Sequence, residues 1–94
     1  MAYDSYIAVP NAFTPGSGPG SLLKVLHLGN VTLKSFTIYN RWGIKVFETS
    51  DINAGWDGTY NGVVQPQGVF VYTVDAYTAK GKNIHKQGNI TLLR

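Results

Sequence analysis

Cysteine is absent from the 94 residues, so neither disulfide bonds nor thiolate metal ligands are available. Charged residues are scarce as well: they make up 14% of the sequence, against roughly 25% in an average globular domain. No apolar run approaches the ~20 residues that a membrane-spanning helix needs. The first residues lack the pattern of a signal peptide, and we interpret Met1 and Ala2 as an expression start placed before a fragment. These absences indicate a small domain that depends on an apolar core.

A sustained helical period of apolar residues is missing too, and Pro and Gly recur too often for helices. The 11 Gly and 6 Tyr, together with many Thr, Val and Ile, are typical of an all-β chain. Short alternating segments with turn signals at near-regular spacing predict an immunoglobulin-like antiparallel β-sandwich of about seven strands. A small closed barrel is the alternative. The length fits one domain, so residues 1–94 are predicted to form a single domain.

The expected strands can be placed along the chain. They cover residues 3–9, 22–28, 33–40, 44–49, 69–78 and 83–94, the last with a bulge near Gly88. The Gly-rich stretch 16–21 is predicted to be a loop. Arg41-Trp42-Gly43 is predicted to be a tight hairpin connection, with Gly43 at the position that needs positive φ.

Catalytic and metal-binding patterns are not found. A zinc site takes about four ligands, and the chain offers only His27, expected in a half-buried strand, and His85, expected at the surface. There is no Gly-x-Ser-x-Gly elbow, and the Gly-rich loop lacks the Gly-Lys-Ser/Thr ending of a phosphate loop. We therefore predict that the chain is not an enzyme and binds no cofactor or metal.

Basic residues exceed acidic ones, giving a net charge of +3. They are spread along the sequence and become locally dense only over residues 80–86. A nucleic-acid-binding domain usually shows a tighter basic stripe. Nucleic acid is therefore not predicted as a partner.

Aromatic residues at turns leave a second function open. Trp42, Trp56 and Tyr60 could stack on sugars if they are exposed, so a carbohydrate-binding or adhesive sandwich is the alternative function. Trp42 and Trp56 could equally pack against the core, because large aromatics supply much of the burial in a small domain.

Several other side chains are given structural roles. Phe47, Phe70 and Tyr72 are expected to pack on the core. Asp57 is expected to accept hydrogen bonds from the backbone two residues on. Arg41 is expected either to stack on an aromatic ring or to reach a carboxylate such as Glu48 or Asp57.

A series of segments, found in order along the chain, carries a family resemblance. They are Val9-Pro10-Asn11-Ala12-Phe13-Thr14-Pro15, Ile38-Tyr39-Asn40-Arg41-Trp42-Gly43, Val46-Phe47, Trp56-Asp57-Gly58, Pro66-Gln67-Gly68-Val69-Phe70-Val71-Tyr72 and Gly88-Asn89-Ile90-Thr91-Leu92-Leu93-Arg94. Together they resemble the gliding motility-associated C-terminal domain, which is the type B sorting signal of the Bacteroidetes type IX secretion system.

The resemblance implies an immunoglobulin-like, non-enzymatic C-terminal signal domain. Such a domain directs an upstream passenger through the periplasm and across the outer membrane, to the cell surface or the medium. The implied partners are components of the type IX machinery and the covalently continuous passenger, with no nucleic acid and no insertion into the membrane. The family has an Asn/Asp-rich loop where this chain has residues 16–21 without a carboxylate, so a cation is not expected there.

The last hairpin, residues 69–94, is the surface that we expect the machinery to read. An edge strand near a terminus offers unpaired backbone groups to a partner strand, and Arg94 is expected to be the native last residue. The residues predicted for translocon recognition are Lys80, Lys82, Lys86, Leu92, Leu93 and Arg94. The residues predicted to define the fold are Arg41, Trp42, Gly43, Trp56, Asp57 and Gly58.

Overall fold

The computed structural model describes residues 6–15 and 22–93. Within these residues the chain forms nine strands and no helix. The strands are β1 (Tyr6–Ala8), β2 (Ala12–Phe13), β3 (Leu26–Leu28), β4 (Val31–Tyr39), β5 (Lys45–Thr49), β6 (Thr59–Tyr60), β7 (Val63–Val64), β8 (Gly68–Thr78) and β9 (Asn83–Leu92). The predicted loop over 16–21, the start of the predicted strand 3–9 and Arg94 lie outside the described residues.

Five strands form the main sheet, in the order β2-β9-β8-β4-β5. The long strand β8 lies at its centre and pairs antiparallel with β9 in an unbroken register from Gly68↔Leu92 to Tyr77↔Asn83. β2 departs from the antiparallel pattern, because it runs parallel to β9. β1 and β3 form a separate two-stranded sheet, and β6 and β7 form a short hairpin.

One apolar core joins the main sheet to the β1–β3 layer. The alternation of β8 places Phe70, Val74 and Ala76 in that core, with Tyr72 packed against it, which confirms the core packing predicted for Phe70 and Tyr72. The other fully buried side chains are Ile7, Leu23, Phe36, Ile38, Trp56, Ile90 and Leu92. The all-β prediction is confirmed, and the two packed layers are consistent with a sandwich.

The predicted strand over residues 22–28 is wrong in its extent. Only Leu26–Leu28 pairs with β1, whereas Leu23 forms an isolated antiparallel bridge with Trp56. The Leu23 amide donates to the Trp56 carbonyl over 2.9 Å, and the Trp56 amide donates back over 3.0 Å. The expectation of a half-buried His27 is also wrong, because every residue of the short strand β3 is exposed.

The predicted bulge near Gly88 is wrong as well, since the register of β8 and β9 passes through this residue without a break. Gly88 lies opposite Tyr72, and a Cβ at Gly88 would stand 3.0 Å from Tyr72 Cε2 and 3.1 Å from its hydroxyl oxygen. The glycine therefore provides room for the tyrosine ring against the strand. Close approach of a neighbouring group explains this glycine better than an irregular backbone.

We predict that Gly88→Ala destabilises the domain by about 1–3 kcal/mol, because the added methyl group overpacks the Tyr72 ring. Gly68→Ala is the matched control in the same strand pair, since a Cβ there meets nothing within 4 Å. The control should change stability by no more than about 0.5 kcal/mol. Urea unfolding of the two variants measures the difference, and equal stabilities would contradict this role for Gly88.

Candidate recognition site

The connection between β4 and β5 is a tight turn held by Asn40. Its side-chain oxygen Oδ1 accepts hydrogen bonds from the amides of Trp42 and Ile44, over 2.9 and 3.0 Å. The Asn40 amide donates to the Ile44 carbonyl over 2.9 Å, and the Gly43 amide donates to the Asn40 carbonyl over 3.0 Å. Gly43 has φ of 82°, as predicted, because the chain reverses in the left-handed region there.

This turn projects Arg41 and Trp42 into solvent. The Trp42 side chain is 74% exposed, so the core-packing alternative does not apply to it. The Arg41 guanidinium carbon lies 4.9 Å from the centre of the Trp42 ring, which is a cation–π distance. Of the alternatives predicted for Arg41, the structure therefore shows stacking on an aromatic ring.

A shallow cavity of about 190 Å³ adjoins this pair. It lies between the β4–β5 turn and the segment that leads into β8, and its other walls include Gln65, Pro66 and Val69. The Gln65 amide nitrogen of the backbone donates to the Gly58 carbonyl over 2.9 Å, and its side-chain amide donates to the Val63 carbonyl over 3.1 Å. We call the surface formed by Arg41, Trp42, Gln65, Pro66 and Val69 the Trp42 corner.

Asn40 and Gln65 were missed by the sequence predictions. An asparagine directly before an Arg-Trp-Gly turn is a signal for side-chain capping of that turn, because Asn bonds backbone amides two residues on. Nothing in the sequence indicates that residues 65–70 meet this turn. That proximity follows from the pairing of β4 with β8, in which Tyr39 lies opposite Val71.

Trp56, the other aromatic turn residue, has the opposite environment. It is 1% exposed, and its ring centre lies 5.0 Å from that of Phe70 and 6.0 Å from that of Phe13. Its indole Nε1 donates to the Thr59 carbonyl over 2.8 Å, so its polar group is satisfied inside the core. Trp56 is therefore a core residue, and it is not available to stack on a sugar.

Asp57 makes the turn that was predicted for it. Its Oδ1 accepts hydrogen bonds from the Thr59 hydroxyl over 2.7 Å and from the Thr59 backbone amide over 3.0 Å. The hydrogen bond from the Thr59 hydroxyl, with a contribution from the backbone amides, lowers the pKa of this carboxyl below its ordinary value of 3.8. Asp57 thus starts the β6–β7 hairpin directly after the buried Trp56.

The β6–β7 hairpin lies where no strand was predicted. Asn61 has φ of 52° and Gly62 has φ of 78°, and these residues connect Thr59-Tyr60 to Val63-Val64. An Asn-Gly pair between two β-prone pairs is a strong hairpin signal, so this hairpin was predictable from the sequence. Val63 and Val64 are 62% and 61% exposed.

The described residues of the set predicted for translocon recognition are spread along the main sheet from one end to the other. Lys80 and Lys82 are exposed in the turn after β8, whereas Leu92 lies opposite Gly68 at the start of β8. These ends are separated by β8 itself, about 34 Å at ~3.4 Å per residue. Lys86 lies between them, opposite Val74. The predicted set is therefore not one surface.

The C-terminal residues of that set also differ from one another. Leu92 is fully buried, so its side chain supports the fold and is not exposed for contact with a partner. Leu93 is 42% exposed, and its amide donates to the Phe13 carbonyl over 2.8 Å. The end of β9 is thus fixed to β2 at the same end of the sheet as the Trp42 corner.

Two exposed pairs join charged or titratable side chains among the described residues. His85 Nδ1 lies 2.6 Å from Asp75 Oδ1, and the Lys45 ammonium lies 3.0 Å from Glu48 Oε1. In the part of the chain that the structure describes, three or more His, Asp or Glu side chains never gather into a metal-binding group. No helix among the described residues is long and apolar enough to cross a membrane.

Comparison with known protein families assigns this domain to one of them. The model of the CHU_C type IX secretion signal domain matches residues 7–92. The chain belongs to the type IX secretion signal domain family. Curated proteins and solved structures gave no match. The resemblance found in the sequence is thereby confirmed, and the domain is a secretion signal that secretion machinery recognises for export toward the cell surface or the extracellular space.

We predict that Trp56→Ala destabilises the secretion signal domain by about 3–5 kcal/mol, because it leaves a cavity against Phe13 and Phe70. That loss is comparable to the whole stability of a small domain. Trp42→Ala is the matched control, since it removes the same side chain from an exposed position; it should cost less than about 1 kcal/mol. Thermal and urea unfolding measure both values. Similar losses for the two variants would contradict the division of roles.

We also predict a pH dependence from Asp57. Its pKa is lower in the folded domain than the ordinary value, so its stabilising contribution is present above about pH 4 and is lost as the pH falls through the folded pKa. Asp57→Asn removes the titration while keeping an acceptor. The stability difference between the domain and Asp57→Asn, measured by urea unfolding from about pH 6 to about pH 2, should shrink on acidification. A difference that stays constant with pH would refute this role.

Proposed function

We propose that the domain is a non-enzymatic, C-terminal module of a longer protein, and that residues 1–94 act as one unit. It sends an upstream passenger through the periplasm and across the outer membrane by the type IX system, to the cell surface or the medium. The observation that carries this proposal is the family match over residues 7–92. The Lys45–Glu48 and His85–Asp75 pairs lie exposed at the surface, which supports a structural rather than a catalytic role for these side chains.

The signal is read as a folded surface and not as a linear peptide. Support comes from β9, whose residues Ile90 and Leu92 are fully buried in the core. β9 is also hydrogen-bonded to β8 along its whole length and to β2 at its end. If the machinery read β9 as an extended peptide, the strand would have to leave the sheet, and the core would lose Ile90 and Leu92.

A protein component of the machinery is the proposed partner, and one part of the last hairpin is suited to contact it. β2 pairs with β9 only at Ala12↔Thr91 and Phe13↔Leu92, so among the described strands the rest of that edge of β9 is open for β-augmentation. Lys80 and Lys82 are exposed beside its first residues. These charges would steer an acidic partner and raise the rate of association more than the final affinity.

We predict that residues 3–94, fused behind a signal peptide and a fluorescent passenger in a bacterium with a type IX system, direct the passenger to the surface or the medium. Removing residues 92–94 should abolish export, because Leu92 is part of the core and Leu93 fixes β9 to β2. Fractionation and fluorescence of intact cells measure export.

The control separates recognition from folding. Circular dichroism and thermal unfolding of the isolated domain, with and without residues 92–94, show whether the truncation still folds. Retention of the full fusion in the periplasm, with the fusion intact, would refute the proposed function. Normal secretion of the truncated fusion would refute the requirement for the end of β9.

A further inference from the structure

We propose that the Trp42 corner, rather than the open edge of β9, is the surface on which docking of the machinery protein depends, and that the partner presents a carboxylate beside a bulky apolar side chain. The carboxylate pairs with Arg41, and the apolar side chain packs against Trp42 and Val69 at the mouth of the cavity. This inference rests on the proposed function, because it names the surface through which the signal is recognised.

Exposure of Trp42 is the first observation. The chain has 2 tryptophans, and the structure buries Trp56 but leaves Trp42 74% exposed, next to Val69 at 50%. An exposed apolar surface of this kind, with polar groups at its rim, marks an interaction site. Tryptophan and arginine are also the residue types most enriched among the side chains that dominate binding energy at protein interfaces.

Charge identifies the chemistry of the partner. Among the described residues Arg41 forms no ion pair, whereas the nearby Lys45 is engaged by Glu48. The domain carries a net charge of +3. A guanidinium held against an aromatic ring presents its planar donors to one carboxylate, and that pairing is directional and strong. An acidic residue on the partner is therefore the complement of this corner.

The dimensions and hydrogen bonds of the cavity favour a protein over a sugar. Its volume of about 190 Å³ suits one side chain and is below the roughly 300–1,000 Å³ of small-molecule sites. Two of the amide side chains at the cavity already serve the domain's own backbone: Asn40 caps the turn, and Gln65 donates to the Val63 carbonyl. Of the other two aromatics predicted for a sugar platform, Trp56 is buried and Tyr60 does not line the cavity.

The Trp42 corner is also preorganised. Four hydrogen bonds centred on Asn40 fix the turn, and the backbone bond from Gln65 to Gly58 fixes the opposite wall. A surface that is ordered before binding loses less conformational entropy when the partner arrives. Leu93 lies at the same end of the sheet, and Lys80 and Lys82 lie at the other, so the two surfaces can be tested independently.

The test uses the passenger fusion with single changes in residues 3–94. Trp42→Ala and Arg41→Glu should each lower export at least tenfold, and Trp42→Phe should retain most of it, because an aromatic ring remains for the contact. Leu28→Ala is the matched control, since it truncates a side chain that is 70% exposed on β3. That control should export like the unchanged domain. Thermal unfolding of each domain confirms that the variants are folded.

The possible results separate failure of the docking surface from failure of the proposed function. If the unchanged fusion is not exported, the proposed function fails. If the unchanged fusion is exported and both Trp42→Ala and Arg41→Glu match it, the docking surface is overturned while the function stands. Loss of export in Lys80→Ala/Lys82→Ala, with Trp42→Ala unaffected, would also overturn the inference. So would polysaccharide binding that depends on Trp42 while export does not.

Should Trp42→Ala unfold at a lower temperature than Leu28→Ala, Arg41→Glu decides the question, because Arg41 is exposed and its ring contact is with Trp42. Export of a folded Arg41→Glu domain at the unchanged level would then refute the role of charge at this surface. A tenfold loss with unchanged thermal stability would support it.

Discussion

The burial of one indole ring holds this small fold together. Trp56 bonds through its backbone to Leu23, packs its ring against Phe13 and Phe70, and donates its indole nitrogen to the Thr59 carbonyl. Those residues belong to separate parts of the chain, so one residue connects the segment before β3, through its backbone, to β2 and β8 of the main sheet, through its ring. Without disulfide bonds, a domain of this size depends on a few large buried side chains for its stability.

The two tryptophans show how similar local motifs take different roles. Each tryptophan stands beside a glycine in a turn region, and a nearby polar side chain caps the turn. Asn40 does so at Trp42, and Asp57 does so after Trp56. Trp56 packs against Phe70 of the main sheet and is part of the core, whereas Trp42 lies past the end of β4 and is exposed. Position relative to the sheet, and not local sequence, decides which ring is available to a partner.

The burial of β9 side chains in the core fits the proposed export of a folded domain. The strand β9 pairs with the central strand β8 along its whole length and places Ile90 and Leu92 in the core, so the fold depends on it. Recognition must then use the parts of the surface that the core does not need. The ends of the main sheet offer two such surfaces, one basic and one aromatic, which lie at opposite ends of the long strand β8.

Alternating residues and turn chemistry allowed β4, β5, β8 and the position of Gly43 to be predicted, because those features are set by neighbours in sequence. Family membership was likewise readable from motifs in order. The sequence could not separate Trp42 from Trp56, place Leu92 in the core, or explain Gly88, since each depends on a residue far along the chain. The sequence by itself determined the class, the long strands and the family. Only the tertiary structure decided which residues form one surface, because the pairing of β4, β8 and β9 brings distant segments to the same end of the sheet.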